Sequence, residues 1–576
     1  MSVGVISHAD SSSPSMQSTH QSVCQKSATP IHRIQNTGLT SPLKNTEHTI
    51  QGVVIGRFPG KKSLNGFFVQ EEQQDQDNNP ATSEGIFIYA PRRSHPNVGE
   101  QVRVTGKVSE YYGLTQLNSI SELVRCGKTK RPPTTPLSLP VDSLKQFEAV
   151  EGMRVQTTSP LNVANQYHLD RFGTLTLSQG RLYQPTQWAS PGPIAKQQQT
   201  ALALNQLILD ARAIAGRRFR TGSLIEPIEG VLGFAYGQYR LYPTDSIDVQ
   251  ADARPPPPKR TNSNSTTIAL LNLNNFFNGN GQGGGFPTPR GAKTLTELKR
   301  QSSKIVATIT ALNADIVGLT ELENDGFDQH SAIQTLINHL KNHSLNYRFI
   351  KPKKNILGRD AICVGLMYQP HRTTPVGSAT VLDNSVDTRF LDSHNRPVLA
   401  QTFRSKITEH VFTIAVAHLK SKGSDCNDLQ DPDRKDGQGH CNQTRTSASQ
   451  TLAQWLLSDP TNSQDPDFLI IGDLNSYAKE DPIKRLEQSG FQNLVANRLG
   501  LKQHTFQFSG KIGTLDYALA TPSLTKHVSQ IHIWHSNSDE PIDAGYRHSS
   551  ALTPFRASDH DPIFMEINSV MEINSD

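Results

Sequence analysis

The sequence predicts a large α/β domain in the C-terminal half of the chain, preceded by one or two small β-rich, OB-fold-like domains. From residue 266 onward, apolar strands such as "FLIIGDLNS" alternate with segments whose apolar residues recur at helical spacing, such as "TELKRQSSKIVATITALNA". Before that point, short alternating strands are separated by Gly, Pro and Asn. The 576 residues include 35 Pro and 40 Gly, which suits about three loop-rich domains.

Changes in composition divide the chain into five regions. Residues 1–45 are rich in Ser, Thr, Gln and His and predict a flexible leader. Residues 46–127 carry closely spaced short strands, which predict a small antiparallel barrel of the OB-fold type. Residues 146–252 predict a second β-rich module, and the Pro- and Ser-rich stretch 253–265 predicts a linker. Residues 266–568 form the predicted α/β domain.

Basic residues lie near aromatic strands in the first module. Lys61 and Lys62 precede Phe67 and Phe68, and Arg92 follows another aromatic strand. An OB-type nucleic-acid groove combines such residues. Surface charge beside core aromatic rings is the simpler interpretation, and the sequence leaves both open.

The overall charge permits a polyanionic partner without requiring one. Fifty-seven Lys and Arg residues oppose 52 Asp and Glu, for a net charge of +5. No apolar run approaches the length of a membrane span, so we expect no transmembrane segment. The first residues show no recognisable signal peptide.

Five cysteines are too few for a disulfide framework, and none has zinc-site spacing. Cys426 and Cys441 bracket one polar loop, and Cys24 and Cys126 bracket the first β-rich region. Cys363 lies in the apolar run "AICVGLMY" and is expected to be a buried thiol. Two candidate disulfides favour an oxidising compartment.

Polar side chains recur at the ends of the predicted strands of the α/β domain. Core strands hold such residues rigidly, and sites of α/β proteins lie at strand ends. Any one of these residues could simply mark the end of a strand, whereas together they indicate a site. They are Asn272, Glu321, His418, Asp473, Asn475, Asp516, Asp559 and His560.

The chemistry of these residues is consistent with metal-assisted hydrolysis of a phosphate ester. Carboxylate and amide oxygens suit a hard cation, Mg²⁺ or Mn²⁺, that binds substrate phosphate. Two histidines supply groups that titrate near neutral pH. Alone, "SDHDPI" at 558–563 would predict a polar turn, but the other residues favour an active-site role for it.

The order of the motifs N, GL-x-E, H-L, GD-x-N, D and SDH resembles the endonuclease/exonuclease/phosphatase superfamily. From about residue 46 the chain also resembles the bacterial ExeM/NucH-type extracellular nucleases, in stretches such as "GFFVQ", "EGMRV", "AHLKSKGSDC", "DGQGHCNQTR" and "SDHDPI". The resemblance implies a four-layer α/β sandwich. It also implies a metal-dependent endonuclease that is secreted, periplasmic or on the cell surface. The implied substrate is DNA, with RNA as a second candidate, and we expect a monomer.

The resemblance also implies roles for individual residues. Glu321 is expected to be the principal metal ligand, assisted by Asn272 and Asp559. Asp473 and Asn475 would orient the attacking water or hold the scissile phosphate.

The histidines are assigned on the same basis. His560 resembles the catalytic base, with Asp516 fixing its tautomer. His418 would contact the phosphate or protonate the leaving oxygen, with Asp360 as its candidate partner. Arg396 and Asn537 are candidate substrate contacts.

Two loops invite further interpretations. The Gly-rich stretch 278–294 lacks the G-K-[ST] of a phosphate loop, so either it is a mobile loop whose Arg290 and Lys293 meet a polyanion, or it is an insertion without a function. The loop from 424 to 441 carries five aspartates without EF-hand spacing. A disulfide-closed solvated loop is favoured there over a Ca²⁺ site.

Two other functions remain open from the sequence alone. The first is a phosphomonoesterase or lipid phosphodiesterase with the same chemistry, because a fold does not fix its substrate. The second is a nucleic-acid-binding protein without catalysis. No expected ligand position is substituted, which argues against the second alternative.

Overall fold

The structure is a computed structural model that describes residues 23–60 and 63–568. Lys61, Lys62 and the first 22 residues of the predicted leader lie outside the described residues. Across the described part of the chain, no helix is long and apolar enough to cross a membrane.

The first module is a closed five-stranded barrel with the strand order β1-β2-β3-β5-β4. In the strand "GFFVQ", successive side chains point alternately into and out of the barrel, so the strand packs on both of its faces. Phe67 and Val69 lie in the barrel core, whereas Phe68 packs outward against Val231 and Tyr242 of the second module. The strands are β1 (Glu47–Phe58), β2 (Gly66–Gln70), β3 (Gly85–Tyr89), β4 (Glu100–Tyr111) and β5 (Leu114–Lys128).

Residues 23–45, predicted as part of a flexible leader, instead pack on the barrel. Helix α1 (Ile31–Gln35) places Ile31 and Ile34 in the barrel core. A disulfide joins Cys24 to Cys126 at the end of β5. Two isoleucines and a cross-link outweigh the polar composition on which the prediction rested.

The second module is a nine-stranded sheet that begins before residue 146. Strand β6, in the predicted connector, pairs in parallel with β7. The strands are β6 (Thr135–Leu137), β7 (Arg154–Thr157), β8 (Leu161–Asn165), β9 (Thr174–Ser178), β10 (Leu207–Asp210), β11 (Leu224–Ile225), β12 (Glu229–Ala235), β13 (Gln238–Pro243) and β14 (Val249–Gln250). The helices are α2 (Leu144–Glu148), α3 (Leu169–Phe172) and α4 (Pro193–Leu204).

The C-terminal domain is a four-layer α/β sandwich, as predicted, in which two six-stranded sheets pack face to face. Strand β22 (Phe468–Asp473) shows why the layers form. Leu469 and Ile471 lie in the core between the sheets, while Phe468 and Ile470 point to the helices outside. Alternating apolar residues thus bury both faces of the strand.

The first sheet has the order β17-β18-β16-β15-β28-β27, and the second has the order β19-β20-β21-β22-β26-β23. Their strands are β15 (Ser265–Phe276), β16 (Ile316–Glu323), β17 (Arg348–Phe349), β18 (Ile362–Tyr368), β19 (Thr373–Leu382), β20 (Arg396–Ser405), β21 (Val411–His418), β22 (Phe468–Asp473), β23 (Gln492–Asn493), β26 (Asp516–Ala520), β27 (Val528–Ile533) and β28 (Ile563–Asn568). A separate hairpin comprises β24 (Phe506–Phe508) and β25 (Lys511–Gly513).

The helices form the outer layers of the sandwich. Leu298 and Leu336 belong to the core outside the first sheet, and Leu452 and Leu486 to the core outside the second. The helices are α5 (Leu295–Leu312), α6 (Ala332–Asn342), α7 (Asn442–Leu457), α8 (Asp481–Gln488), α9 (Leu494–Leu499) and α10 (Pro522–Thr525). Short 3-10 turns cover Gln73–Asp75, Pro185–Gln187, Arg212–Ile214, Asn427–Leu429 and Ile542–Ala544.

Candidate active site

The predicted polar residues meet at one edge of the sandwich because their strands end there together. In the second sheet, the parallel strands β21 and β22 place His418 directly beside Asp473. Asp516, the first residue of β26, is the antiparallel partner of Asp473. Three residues far apart in sequence thus lie side by side through strand pairing alone.

Gly472 allows this close pairing of β21 and β22. A Cβ at residue 472 would lie 1.8 Å from the carbonyl oxygen of Ala417. Any side chain would therefore separate the two strands just before His418 and Asp473. The glycine of the "GD" motif thereby sets the spacing of the site.

The first sheet contributes Asn272 and Glu321 through an irregular strand pair. The parallel register of β15 and β16 shifts after Asn272, and Glu321 has a left-handed backbone with φ of 58°. Such a backbone is costly for a glutamate, and costly backbone geometry recurs at functional sites. The Glu321 carboxylate accepts hydrogen bonds from the backbone and side-chain amides of Asn275, both at 2.8 Å.

His560 and Asp516 form a buried pair. His560 Nδ1 lies 2.7 Å from Asp516 Oδ2, and the Phe506 ring packs 4.6 Å from the imidazole, centroid to centroid. Burial alone would lower the pKa of His560, but the carboxylates of Asp516 and Asp473 outweigh burial and raise that pKa well above its usual value. With Nδ1 on Asp516, Nε2 is left to face the other site residues.

His418 is a different kind of histidine, although it lies in the same site. Its Nε2 is 3.5 Å from Asp473 Oδ2, and its buried Nδ1 has no hydrogen-bond partner among the residues that the structure describes. Burial and the nearby charge of Arg396 lower the pKa of His418 well below its usual value. The lowered pKa favours the neutral imidazole, which can bind a cation.

Asp473 and Asn475 lie at the end of β22, as expected. Asp473 Oδ1 accepts a hydrogen bond from the backbone amide of Asn475 at 2.9 Å, and Asn475 Nδ2 donates to the Leu419 carbonyl at 3.1 Å. Burial raises the pKa of Asp473 to about 7. Both side chains line the cleft described below.

The residues present fit a divalent cation. Burial, together with the negative charge of Asp559, raises the pKa of Glu321, so these two carboxylates repel one another. Donor atoms of Glu321, His418 and Asp473 lie within 4.8 Å of one another. A cation would offset this repulsion with the oxygen-rich donors that Mg²⁺ and Mn²⁺ prefer. Asn272 adjoins them, its Oδ1 accepting a hydrogen bond from Ser558 Oγ at 3.1 Å.

Asp360 is not the partner of His418, which corrects one prediction. Its carboxylate lies between two arginines, 2.9 Å from Arg290 Nη1 and 3.0 Å from Arg396 Nε. Fixed positive charges attract the carboxylate more strongly than a neutral imidazole would. Asp360, Arg290 and Arg396 line the cleft, and the substrate contacts of the two arginines stay a prediction.

Asn537 was predicted to lie in the substrate groove, and that prediction is wrong. The side chain is buried, donating to the His560 carbonyl at 2.7 Å and accepting from the Ala557 amide at 2.9 Å. Asp561 is also buried and accepts from the backbone amides of Asn537 and Ser538. Both residues brace the turn that carries Asp559 and His560.

The two polar loops, 278–294 and 424–441, make different contacts in the structure. Lys293 Nζ donates to the Thr288 carbonyl, whereas Arg290 reaches the cleft. Cys426 and Cys441 form a disulfide across the aspartate-rich loop. Asp431 of that loop accepts from Thr444 in the first turn of α7, and among the described residues none of its aspartates belongs to a cluster of close metal donors.

A cleft of about 860 Å³ opens over the site. Its walls include residues that the sequence interpretation missed, among them Asn275, Phe506, Lys420 and Lys196 of the second module. Asn275 follows Asn272 closely in "LLNLNNFF", so its position near the site could have been predicted from the sequence. Nothing in the sequence placed Phe506 or Lys196 near the site, because tertiary packing brings them there.

A four-layer sandwich with carboxylates and two histidines at one edge defines the phosphoesterase class of fold and site. The Endonuclease/Exonuclease/phosphatase family matches residues 269–560, just over half of the chain, and the chain belongs to that family. A domain of unknown function (DUF8508) matches residues 130–252. No curated protein matches the chain.

The chain is also similar to solved structures, among them those of three differently named proteins. The human Nocturnin catalytic domain with bound sulfate is 16% identical, covering 53% of this chain and 94% of its own, with a TM-score of 0.33. D. rerio TDP2 with a single strand DNA product is 14% identical, covering 53% and 99%, with a TM-score of 0.34. Bacteroides thetaiotaomicron mannosyl-6-phosphatase is 16% identical, covering 53% and 99%, with a TM-score of 0.35. Identities this low transfer no substrate to this chain.

Proposed function

We propose that the protein is a metal-dependent endonuclease that hydrolyses phosphodiester bonds of DNA, with RNA as a second candidate substrate. One observation carries the proposal above the others. His560, paired with Asp516 at 2.7 Å, lines the same cleft as the carboxylates of Glu321 and Asp559, together with several lysines and arginines. This arrangement combines a proton acceptor, metal ligands and phosphate-binding charge in one place.

In the proposed mechanism, Glu321, Asp559 and Asn272 hold the cation. A bound Mg²⁺ or Mn²⁺ would neutralise the developing charge on the phosphate. His560 Nε2 takes the proton of the attacking water, while Asp516 holds the Nδ1 proton and fixes the tautomer. Asp516 and Asp473 raise the pKa of His560, and a cation held beside them by Glu321 and Asp559 would lower it again by repelling the imidazolium.

The other site residues position the phosphate. Asp473 and Asn475 orient the water, and His418 contacts the phosphate or, in its protonated imidazolium form, protonates the leaving oxygen. Arg396, with Arg290 beyond Asp360, supplies positive charge along the same wall.

We further propose an extracellular enzyme of the ExeM/NucH type, active as a monomer outside the cytoplasm. Two disulfides support an oxidising compartment. The barrel strand order β1-β2-β3-β5-β4 supports an OB-type module at 46–127, next to the β module that ends at residue 252.

Incubation with closed circular and linear plasmid DNA tests the proposal. Parallel reactions contain EDTA, Mg²⁺, Mn²⁺ or Ca²⁺. We expect nicking and linearisation of the circle with Mg²⁺ or Mn²⁺ and none with EDTA. Degradation of only the linear DNA would exclude endonuclease action. Release of phosphate from phosphomonoesters or lipid headgroups, with both DNAs intact, would overturn the nuclease assignment.

A further inference from the structure

The geometry points to a function for the module at 130–252: it forms one wall of the substrate groove and binds single-stranded nucleic acid beside the cleavage site. The inference rests on the proposed nuclease function and extends it to a part of the chain that matches only a domain of unknown function. Three features carry it, namely the contacts between the module and the catalytic domain, a second cavity and an exposed aromatic cluster.

The module contacts the catalytic domain through ion pairs and hydrogen bonds next to the turn that carries His560. Arg220, which is buried, pairs with Glu540 at 2.6 Å and donates to the His535 carbonyl at 2.8 Å. Arg181 pairs with Asp539 at 2.5 Å. Buried ion pairs with several hydrogen bonds fix the relative position of the elements they join.

Backbone hydrogen bonds join the two parts as well. The Gln184 amide donates to the Ile512 carbonyl at 2.9 Å, and the Ile512 amide donates to the Leu182 carbonyl at 2.8 Å. Ile512 belongs to the β24–β25 hairpin, whose Lys511 Nζ donates to Gln199 of helix α4 at 3.1 Å. The module and the hairpin therefore form one continuous wall.

A second cavity of about 890 Å³ adjoins the catalytic cleft at this hairpin. Phe506, Phe508, Ser509 and Asp559 line both cavities. Most of the remaining lining of the second cavity comes from the module and from the segment 538–556. A polymer bound at the catalytic residues can therefore extend over the hairpin into this second cavity.

The module presents aromatic rings in the second cavity that pack on one another and are exposed to solvent. Tyr167 and His168 are in edge contact at 5.0 Å, and His168 lies 5.4 Å from Phe172, centroid to centroid. Tyr167 is 66% exposed and Phe172 is 56% exposed. Across the cavity, Phe508 of the hairpin is 62% exposed. Rings left in water beside a nuclease site are suited to stacking with unpaired bases.

Arginines accompany these rings. The Arg171 guanidinium lies 4.9 Å from the centre of the Phe172 ring, and the exposed Arg217 and Arg218 line the same cavity. Arg218 also forms ion pairs with Asp543 and Asp170, so its charge is partly compensated. Because this compensation limits attraction by charge alone, stacking is the larger contribution expected, and it requires unpaired bases.

The test compares two matched double variants in the full-length protein. Tyr167→Ala/Phe172→Ala removes the proposed platform. Tyr111→Ala/Tyr112→Ala removes an exposed tyrosine pair on the barrel, in edge contact at 4.9 Å, that lines neither cavity. Binding of a fluorescent single-stranded oligonucleotide of about 20 nucleotides is followed by anisotropy in EDTA, and KM and kcat are measured with Mg²⁺ or Mn²⁺.

We expect the Tyr167/Phe172 variant to raise Kd and KM for the long single strand at least about 30-fold, the lower bound for losing two base–aromatic stacks. Its kcat should change much less than its KM. The barrel variant should match the wild type. Equal losses in both variants, or none in the Tyr167/Phe172 variant, would overturn the inference, as would an effect confined to duplex DNA.

Failure of the proposed function gives a different pattern. Hydrolysis of bis(p-nitrophenyl) phosphate by the wild type reports on phosphodiesterase chemistry without a polymer. A wild type that hydrolyses this diester but neither binds nor cuts DNA refutes the nuclease function, and the inference with it. A wild type that binds and cuts single strands, with the Tyr167/Phe172 variant doing so equally well, refutes the inference alone.

Discussion

Asp516 Oδ2 accepts the Nδ1 proton of His560 across 2.7 Å in a buried part of the site. The two residues come from different sheets of the sandwich, β26 and the turn before β28. Their contact leaves Nε2 as the imidazole nitrogen of His560 that faces the other site residues. Several expected effects depend on this pair and on the groups around it.

Replacing Asp516 with Asn should lower kcat by about 10²–10⁴-fold, because an amide can stabilise the wrong tautomer of His560. The measurement is steady-state cleavage of DNA with Mg²⁺ or Mn²⁺. Asp467→Asn is a matched control, since Asp467 pairs with His410 at 2.6 Å in the same domain but outside the cleft. Equal activity losses in both variants would show a general effect on folding rather than loss of the base.

Replacing Glu321 with Gln should weaken binding of Mn²⁺ at least tenfold, because the principal anionic ligand is lost. Titration calorimetry measures this without reference to activity. Glu323→Gln is the control on the same strand, where the carboxylate accepts from the Asn278 amide at 2.8 Å. Unchanged Mn²⁺ affinity in the Glu321 variant would exclude Glu321 as a ligand. The Glu323 variant should bind Mn²⁺ as the wild type does.

A double-mutant cycle between Asp360 and Arg396 should show a coupling of about 1 kcal/mol in the free energy of unfolding, because the side chains are 3.0 Å apart. The values come from urea denaturation of the single and double alanine variants. The cycle between Asp360 and His418 serves as the comparison and should be additive within about 0.5 kcal/mol. A strong coupling between Asp360 and His418 would instead support the pairing that the sequence predicted.

The stability that Asp539 contributes should disappear in acid. Burial opposes its ionisation, but His504 and Arg181 outweigh burial and hold the pKa of Asp539 well below its usual value. The folded pKa lies below the unfolded one of about 3.9, so the stabilisation is present above that pH and is lost as the pH falls further.

Asp539→Asn should therefore lower the free energy of unfolding by about 3 kcal/mol at pH 7, with a smaller difference below pH 4. Thermal unfolding from pH 7 to pH 3 measures both. The exposed Asp245→Asn should follow the wild type throughout. A difference for Asp539→Asn that stays constant across this range would contradict the assigned pKa direction.

Much of the candidate site was predictable because most of its residues follow buried strands. Asn272, Glu321, His418, Asp473 and Asp516 each lie at the end of an apolar run or within one, and such runs are legible in a sequence. The pairing of His560 with Asp516 followed only from the family resemblance. The predicted pairing of Asp360 with His418 and the predicted groove position of Asn537 failed because both depend on tertiary contacts. Local sequence patterns do not specify such contacts.

The α/β alternation, the β-rich modules, the strand-end residues and the four cysteines that form disulfides were all readable from the sequence. These features depend on local periodicity and residue chemistry. Three-dimensional packing was needed to show that Asp360 binds two arginines, that Asn537 braces the turn carrying His560 and that the 130–252 module forms part of the cleft. Such contacts join residues as far apart as Arg220 and Glu540, and packing between whole domains selects them.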